Sequence, residues 1–176
     1  KYNYLIIILV FFVILYLSYS SYNRTKTIIK SKYETQHNLV ESSIINLLQT
    51  SIVSYSISEE VLNKEMRSYS KKLANKYRQN PAVSTWNLNK LKNEMNGYDI
   101  YIINSDLKII KTTFKKDLGM DFSKFESFAE LLRQRLNSNS FVADKMDIST
   151  NTGAIKKYSY MPTPDHKYLI ELSINM

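Results

Sequence analysis

The sequence has no cysteine and very few residues that break a helix. Three glycines and three prolines occur among 176 residues, and none of them lies within residues 1–80. The absence of cysteine excludes disulfides and thiolate metal sites, although it does not identify the cellular compartment. The absence of glycine and proline leaves the first 80 residues without a strong helix breaker. We therefore predict that this region is almost entirely helical.

The sequence also lacks the motifs of common catalytic centres. It has no nucleophile elbow, phosphate-binding loop, HExxH pair or zinc-ligand spacing. His37 and His166 are far apart in the sequence, and both are expected at the surface. We therefore predict that this chain is not an enzyme and holds no metal or cofactor, while a further domain of the same protein could be an enzyme.

An uncharged apolar run occupies residues 4–19, with the sequence YLIIILVFFVILYLSY. A membrane-spanning helix needs about 20 apolar residues, and the tyrosines at both ends suit the membrane interface. A cleaved secretory signal is the alternative, but no A-x-A-like cleavage site follows the run. We predict a transmembrane helix over residues 1–20 and a single domain over residues 21–176.

The net charge is +8, and the basic residues are spread along the chain. No compact basic and aromatic motif indicates nucleic-acid binding, so the membrane surface is the simpler anionic partner. Basic residues at 24–32 follow the apolar run closely, and the positive-inside rule would place them in the cytoplasm. The chain begins with Lys1 and ends at Met176 in a predicted strand end. We expect a piece of a longer protein, and charge alone leaves the membrane side open.

An apolar stripe continues along the predicted helix beyond the membrane. Its members recur at helical spacing: Val40, Ile44, Leu47, Leu48, Ile52 and Tyr55. Such a stripe is expected to be buried against a partner helix, a sheet or both. We predict a homodimer through the long helix, centred on residues 40–55.

Further along the chain, short motifs predict three more helices. Capping boxes at Ser56–Glu59 and Ser123–Glu126 predict helix starts, the first for residues 59–79 and the second for a helix ending near residue 137. A short helix over residues 87–96 is predicted between them, with the glycine that follows as its left-handed terminator.

Beyond Gly97 the apolar period changes to two, which predicts strands. Five are predicted, at 98–104, 108–114, 141–148, 154–161 and 168–174. In the last strand the residues from Tyr168 to Ile174 alternate, so that Glu171 shares a face with Ser173. Helices segregated from an antiparallel sheet indicate an α+β domain, with a helical part at 21–97 and a sheet part at 98–176.

Two stretches carry a family resemblance, GYDIYIINSDLKIIKTTFKKDLGMDF at 97–122 and KKYSYMPTPDHKYLIELSI at 156–174. Together they resemble the extracytoplasmic Cache domain, a PAS-like sensor region of bacterial receptors that include diguanylate cyclases, phosphodiesterases and histidine kinases. The resemblance covers about residues 20–176 and implies a single Cache-like module. The chain departs from the family where Asp106-Leu107 replaces the usual Asp-Gly of the hairpin turn, and it lacks the amino-acid-binding pattern of double Cache domains.

The resemblance implies a long helix packed on a five-stranded antiparallel sheet, with a ligand pocket over one sheet face. The residues that it places there are Tyr101, Thr113, Arg133, Tyr158, Tyr160 and Trp86. The tyrosines would line and orient a small molecule, and Arg133 would hold a carboxylate such as that of an amino acid. The alternative is that these residues have no role in binding, so that the tyrosines belong to the core and Arg133 faces solvent.

The leading hypothesis is a membrane-anchored extracellular sensor that passes its ligand state through the long helix to a cytoplasmic output domain. The alternative hypothesis is a non-sensing dimerisation or scaffold module of an anchored cell-envelope protein.

Overall fold

A computed structural model describes residues 2–148 and 153–175. The chain divides into two compact units, Lys1–Tyr55 and Ser56–Met176. The connection between the strands predicted at 141–148 and 154–161 lies mostly outside the described residues.

The first helix, α1, spans Tyr2–Gln79 without interruption. The prediction of an almost entirely helical region is confirmed, but the helix start predicted at Ser56–Glu59 is wrong. A capping box forms only where the chain leaves helical dihedrals, and nothing in this sequence forces it to do so. Instead of capping a helix, the Glu59 carboxylate accepts a hydrogen bond from the backbone N–H of Met146. The helix ends at Gln79, as predicted, because Pro81 pushes Asn80 away from helical dihedrals.

In the first unit, the helix is exposed along its whole length. Its N-terminal part is long and apolar enough to cross a membrane. Four hydroxyl groups within this unit, including those of Thr27 and Thr50, donate to backbone carbonyls four residues earlier. Local bonds of this kind satisfy polar side chains on an exposed helix.

The second unit contains two more helices, α2 at Leu88–Glu94 and α3 at Glu126–Leu136. Asn87 caps α2, because its side chain accepts the N–H of Lys90. The capping box predicted at Ser123–Glu126 is wrong. The side chain of Asp121 accepts the N–H of Ser123 in a 3-10 turn, and α3 starts at Glu126, two residues later than a cap at Ser123 would place it.

A six-stranded antiparallel sheet completes this unit. Its strands are β1 (Asp99–Asn104), β2 (Ile109–Thr112), β3 (Val142–Ala143), β4 (Asp147–Ile148), β5 (Ile155–Pro162) and β6 (Tyr168–Asn175). The order is β2-β1-β6-β5-β3, and β4 also pairs with β5. The predicted α+β class is confirmed. Six strands replace the predicted five because the stretch predicted as one strand at 141–148 is divided into β3 and β4.

The outer edge of β2 is occupied by a returning loop. The N–H of Ile109 donates to the carbonyl of Met120, and Gly119 donates back to Ile109, both at 2.9 Å. Lys108 also pairs with Asp121 in an isolated bridge. The loop therefore stands where another strand would add.

Two cores lie on opposite faces of the sheet. The first packs α2 and the second-unit part of α1 against one face, through residues that include Met66, Leu73, Ile100, Ile170 and Leu172. The second packs α3 against the other face, through residues that include Ile103, Leu132 and Leu169. The predicted alternation in β6 accounts for this arrangement, because successive residues of one strand enter different cores.

The turn between β1 and β2 is unusual because Leu107 has a left-handed backbone, with a φ of 63°. This is the position where the resembled family has glycine. Leu107 is nevertheless buried in the second core, and burial of a leucine side chain is worth about 2 kcal/mol. That gain offsets the steric cost of the left-handed backbone, which is about 1–2 kcal/mol.

Gly97, which has a φ of +84°, closes the connection from α2 to the sheet. Its N–H donates to the carbonyl of Lys92 at 3.0 Å, which satisfies the helix end, as predicted. We expect Gly97→Ala to lower the free energy of unfolding by about 1 kcal/mol, because no atom lies near the added methyl group and only backbone strain remains. Denaturant titration would measure it. The control, Asn93→Ala within α2, should leave the free energy of unfolding unchanged. Equal losses of stability in both variants would contradict the explanation.

Candidate functional site

A cavity of about 640 Å³ opens over the sheet face that carries α3. Strands β1, β5 and β6 form its floor, and the loop after β2 forms a wall. Its lining is aromatic and charged: Tyr101, Ile109, Phe114, Lys116, Asp117, Met120, Phe122, Phe128, Asp147, Ile148, Lys156, Tyr158 and Glu171. Small-molecule sites typically combine such an apolar surface with a few placed polar groups.

Glu171 is the most unusual residue of this cavity. It sits in the central strand β6, opposite Tyr101 of β1 and Tyr160 of β5, and it is only 4% exposed. Its Oε2 atom has no hydrogen-bond partner among residues 2–148 and 153–175. Burial, reinforced by the charges of Asp117 and Asp144, raises the pKa of this carboxyl group from 4.5 to about 8. Burial and these neighbouring charges therefore keep Glu171 largely protonated at neutral pH.

Two tyrosines flank Glu171 from the neighbouring strands. Burial is the main cause that raises the pKa of Tyr101 well above its usual value, and the charges of Asp117 and Glu171 add to it. Burial likewise raises the pKa of Tyr158, with Glu171 as the next cause. Both hydroxyl groups stay neutral and can donate or accept hydrogen bonds.

The structure brings together only some of the residues predicted for the site. Tyr101 and Tyr158 line the cavity. Tyr160 lies in the second core, and the guanidinium of Arg135 stands 4.2 Å from the centre of its ring. The hydroxyl of Thr113 donates to Asp99 at 2.6 Å and lies outside the lining.

The other two predicted residues lie away from the cavity. Arg133 is exposed on α3 and approaches Glu130 at 3.9 Å. Trp86 is 3% exposed in the first core, on the opposite sheet face, and its indole N–H donates to the carbonyl of Asn80 at 3.0 Å. Contact with a ligand remains a prediction for all six residues.

Sequence reasoning missed the two charged groups that the fold buries near the cavity, Glu171 and Arg135. The alternation of β6 placed Glu171 on the face away from the apolar residues, but it gave no sign that this second face is also covered. Arg135 is 8% exposed, whereas the predicted Arg133 is two residues earlier. Two residues rotate a helix by about 200°, so one of these arginines points inward and the other outward.

A chain of polar contacts leads from the cavity side of the sheet to α1. Arg135 binds both carboxylate oxygens of Asp144, with the closer N–O pair at 2.5 Å. Lys157 is completely buried, and its Nζ donates to the backbone carbonyl of Asp144 at 2.7 Å and to Oε1 of Glu59 at 3.1 Å. Burial alone would raise the pKa of Glu59, but the N–H of Met146 and the Lys157 ammonium lower it below its usual value. Glu59 is therefore held as an anion on α1.

Within residues 2–148 and 153–175, no group of three or more His, Cys, Asp or Glu side chains could hold a metal ion.

The raised pKa of Glu171 predicts how the free energy of unfolding depends on pH. The folded chain keeps the Glu171 proton up to a pH of about 8, whereas the unfolded chain releases it near 4.5. The free energy of unfolding should therefore fall as the pH rises between these values, by up to about 1.4 kcal/mol per pH unit from this group. Glu171→Gln should flatten this part of the profile, measured by denaturant titration from pH 5 to 8. The control Glu130→Gln, on the exposed face of α3, should not, and equal profiles for all three chains would contradict the shifted pKa.

No family model and no curated protein matches the chain. The chain is similar to several solved structures, of which three are described, and it spans less than two thirds of each of these three. The first, the Bacillus subtilis YkuI protein with an EAL domain, in complex with substrate c-di-GMP and calcium, is 14% identical with a TM-score of 0.51, over 75% of this chain and 35% of that one.

The second is the extracellular domain of the histidine kinase candidate rpHK1S-Z16, 15% identical with a TM-score of 0.46, over 70% of this chain and 54% of that one. The third is an extracellular ligand binding receptor from Desulfohalobium retbaense DSM5692, 14% identical with a TM-score of 0.44, over 69% of this chain and 24% of that one. At these identities the similarity is one of fold.

Proposed function

We propose that this chain is the Cache-like sensor region of a single-pass membrane receptor, and that the cavity over β1, β5 and β6 binds its ligand. The observation that carries the proposal is Glu171. Its buried Oε2 atom has no hydrogen-bond partner within residues 2–148 and 153–175, which costs free energy. Buried carboxyl groups with a strongly raised pKa cluster at functional sites. The sheet, the helix on its other face and the aromatic lining agree with the resemblance in the sequence.

The membrane part of the proposal rests on the apolar run at residues 4–19. Lipid would bury the side chains that are exposed on this stretch of α1, and the helix already satisfies its backbone hydrogen bonds, as lipid requires. We place the second unit outside the cytoplasm because of the family resemblance.

Transmission of the ligand state would use the polar chain that joins the cavity side to α1. The charge of Asp144 raises the pKa of Glu171. Asp144 also accepts hydrogen bonds from Arg135 and Lys157. A ligand that alters the charge around Glu171 would shift this chain between two arrangements, and Glu59 would carry the shift to α1. The coupling needs a ligand that binds the two arrangements with different affinity.

Ligand binding can be tested on the full chain in lipid nanodiscs. We expect one class among amino acids, carboxylates and amines to raise the melting temperature in a concentration-dependent way, since a ligand stabilises the state that it binds. Tyr158→Ala should weaken that response, whereas Tyr22→Ala, an exposed tyrosine of α1, should leave it intact. No response to any class would favour the dimerisation or scaffold module.

The polar chain makes a second prediction. Glu59→Gln should destabilise the fold by about 3 kcal/mol, because Lys157 would remain buried with a carbonyl group as its remaining partner. Adding Lys157→Met should restore much of the loss, and the exposed neighbour variant Glu60→Gln should have little effect. Denaturant titration of the variants measures this, and a harmless Glu59→Gln would show that the ion pair does not hold the structure.

The homodimer through residues 40–55 remains a prediction, and the lack of cysteine makes it easy to test. Ile44→Cys, on the apolar stripe, should form an intermolecular disulfide under mild oxidation in membranes. Asn46→Cys lies about 200° around the helix from this stripe and should form little. Equal cross-linking at both positions, or none at either, would argue against this interface.

A further inference from the structure

Of the Asp, Glu and Lys side chains that line the cavity over the sheet, the most deeply buried is an acid, Glu171, which is 4% exposed. Asp117, Asp147 and Glu171 line it together with Lys116 and Lys156. Of the surrounding charges that shift the pKa of Glu171, only Arg135 favours the ionised form, while Asp117 and Asp144 oppose it. The guanidinium of Arg135 is already paired with Asp144. Within the part of the chain that the structure describes, no salt bridge pairs the Glu171 carboxyl group with a cation of its own.

The rings of the cavity add a second, independent preference. Five aromatic side chains line it: Tyr101, Phe114, Phe122, Phe128 and Tyr158. The faces of such rings attract cations, and one of them already does so, because the Lys156 ammonium stands 5.7 Å from the centre of the Phe114 ring. A cage of rings beside a buried acid is suited to an organic cation rather than to an anion.

We propose that the ligand of this cavity carries an ammonium group, which pairs with the Glu171 carboxylate while the aromatic rings hold the rest of the molecule. This inference rests on the sensing function proposed above, and it replaces a carboxylate clamp by Arg133 with a cation site at Glu171. The free Oε2 atom accepts one ammonium hydrogen, and the hydroxyl groups of Tyr101 and Tyr158 can accept others.

Binding of a cation would change the protonation of the site. Before a cation binds, Glu171 is largely protonated. The ion pair with an ammonium group needs the carboxylate, so one proton leaves the carboxyl group for solvent when the ammonium binds. The charged and titratable side chains around Glu171 come from every element packed against it: Tyr101, Lys116, Asp117, Arg135, Asp144, Asp147, Lys156, Tyr158 and Tyr160. The carboxylates among these side chains disfavour the ionised form of Glu171 when no cation is bound. A bound cation would offset their negative charges.

Three probes of similar shape separate the charge from the size of a ligand. Phenethylamine is a cation at neutral pH, 2-phenylethanol is neutral, and phenylacetate is an anion. Calorimetry on the full chain in nanodiscs, in two buffers of different ionisation enthalpy, gives both affinity and proton release. We expect phenethylamine to bind most tightly and to release about one proton at pH 6.5. At pH values below the pKa of Glu171, its affinity should increase as the pH rises, by up to about tenfold per pH unit.

The variants assign the effect to one residue. Glu171→Gln should weaken phenethylamine binding at least tenfold and abolish proton release, while Glu130→Gln should leave both unchanged. L-Phenylalanine, as a further probe, distinguishes two sources of the ammonium group. Tighter binding than phenethylamine indicates an amino acid whose carboxylate meets Lys116 or Lys156, and weaker binding indicates a simple amine.

Two results would overturn the proposal. If phenylacetate or 2-phenylethanol bound at least as tightly as phenethylamine, and Tyr158→Ala weakened that binding, the cavity would still be a ligand site but not one for a cation. If no probe of the series bound, the cation site would also be rejected, and the wider panel of amino acids, carboxylates and amines would decide separately whether the chain senses any ligand.

Discussion

Strand β6 is hydrogen-bonded along both edges and covered on both faces, and this position determines most of the second unit. Its neighbours β1 and β5 fix its register, so alternate side chains must enter two different environments. Ile170 and Leu172 face the helices α1 and α2, whereas Glu171 faces the cavity. One strand thus contributes both to the core and to the acid of the candidate site.

Buried charges connect these environments. Lys157, fully buried in β5, would be very costly without partners, and its position is set by Glu59 and the carbonyl of Asp144. Glu171 has no such compensation and responds by holding its proton. The same low dielectric that makes Lys157 depend on its partners makes Glu171 sensitive to any charge that enters the cavity. We regard this contrast as the physical basis of the proposed sensor.

The sequence predicted the features that depend on local composition. The helical character of the first 80 residues followed from the lack of glycine and proline, the two-faced strand from alternation, and the end of α2 from Gly97. It failed where one local pattern has several outcomes. The sequence contains capping-box patterns at Ser56 and Ser123, but neither caps a helix. Ser56 lies inside α1, and the N–H of Ser123 is already bound by the side chain of Asp121. Periodicity alone did not separate the buried Arg135 from the exposed Arg133, because their roles depend on the packing angle of α3.

The returning loop at residues 119–121 has a consequence for self-association. Because it already pairs with the backbone of Ile109 and bridges to Lys108, the start of β2 is blocked as a template for a foreign strand. The opposite border ends in β3 and β4, which are two residues each and too short to nucleate such growth. A foreign strand would therefore meet a paired residue on one side of this sheet and only two-residue strands on the other, an arrangement that disfavours growth into fibrils.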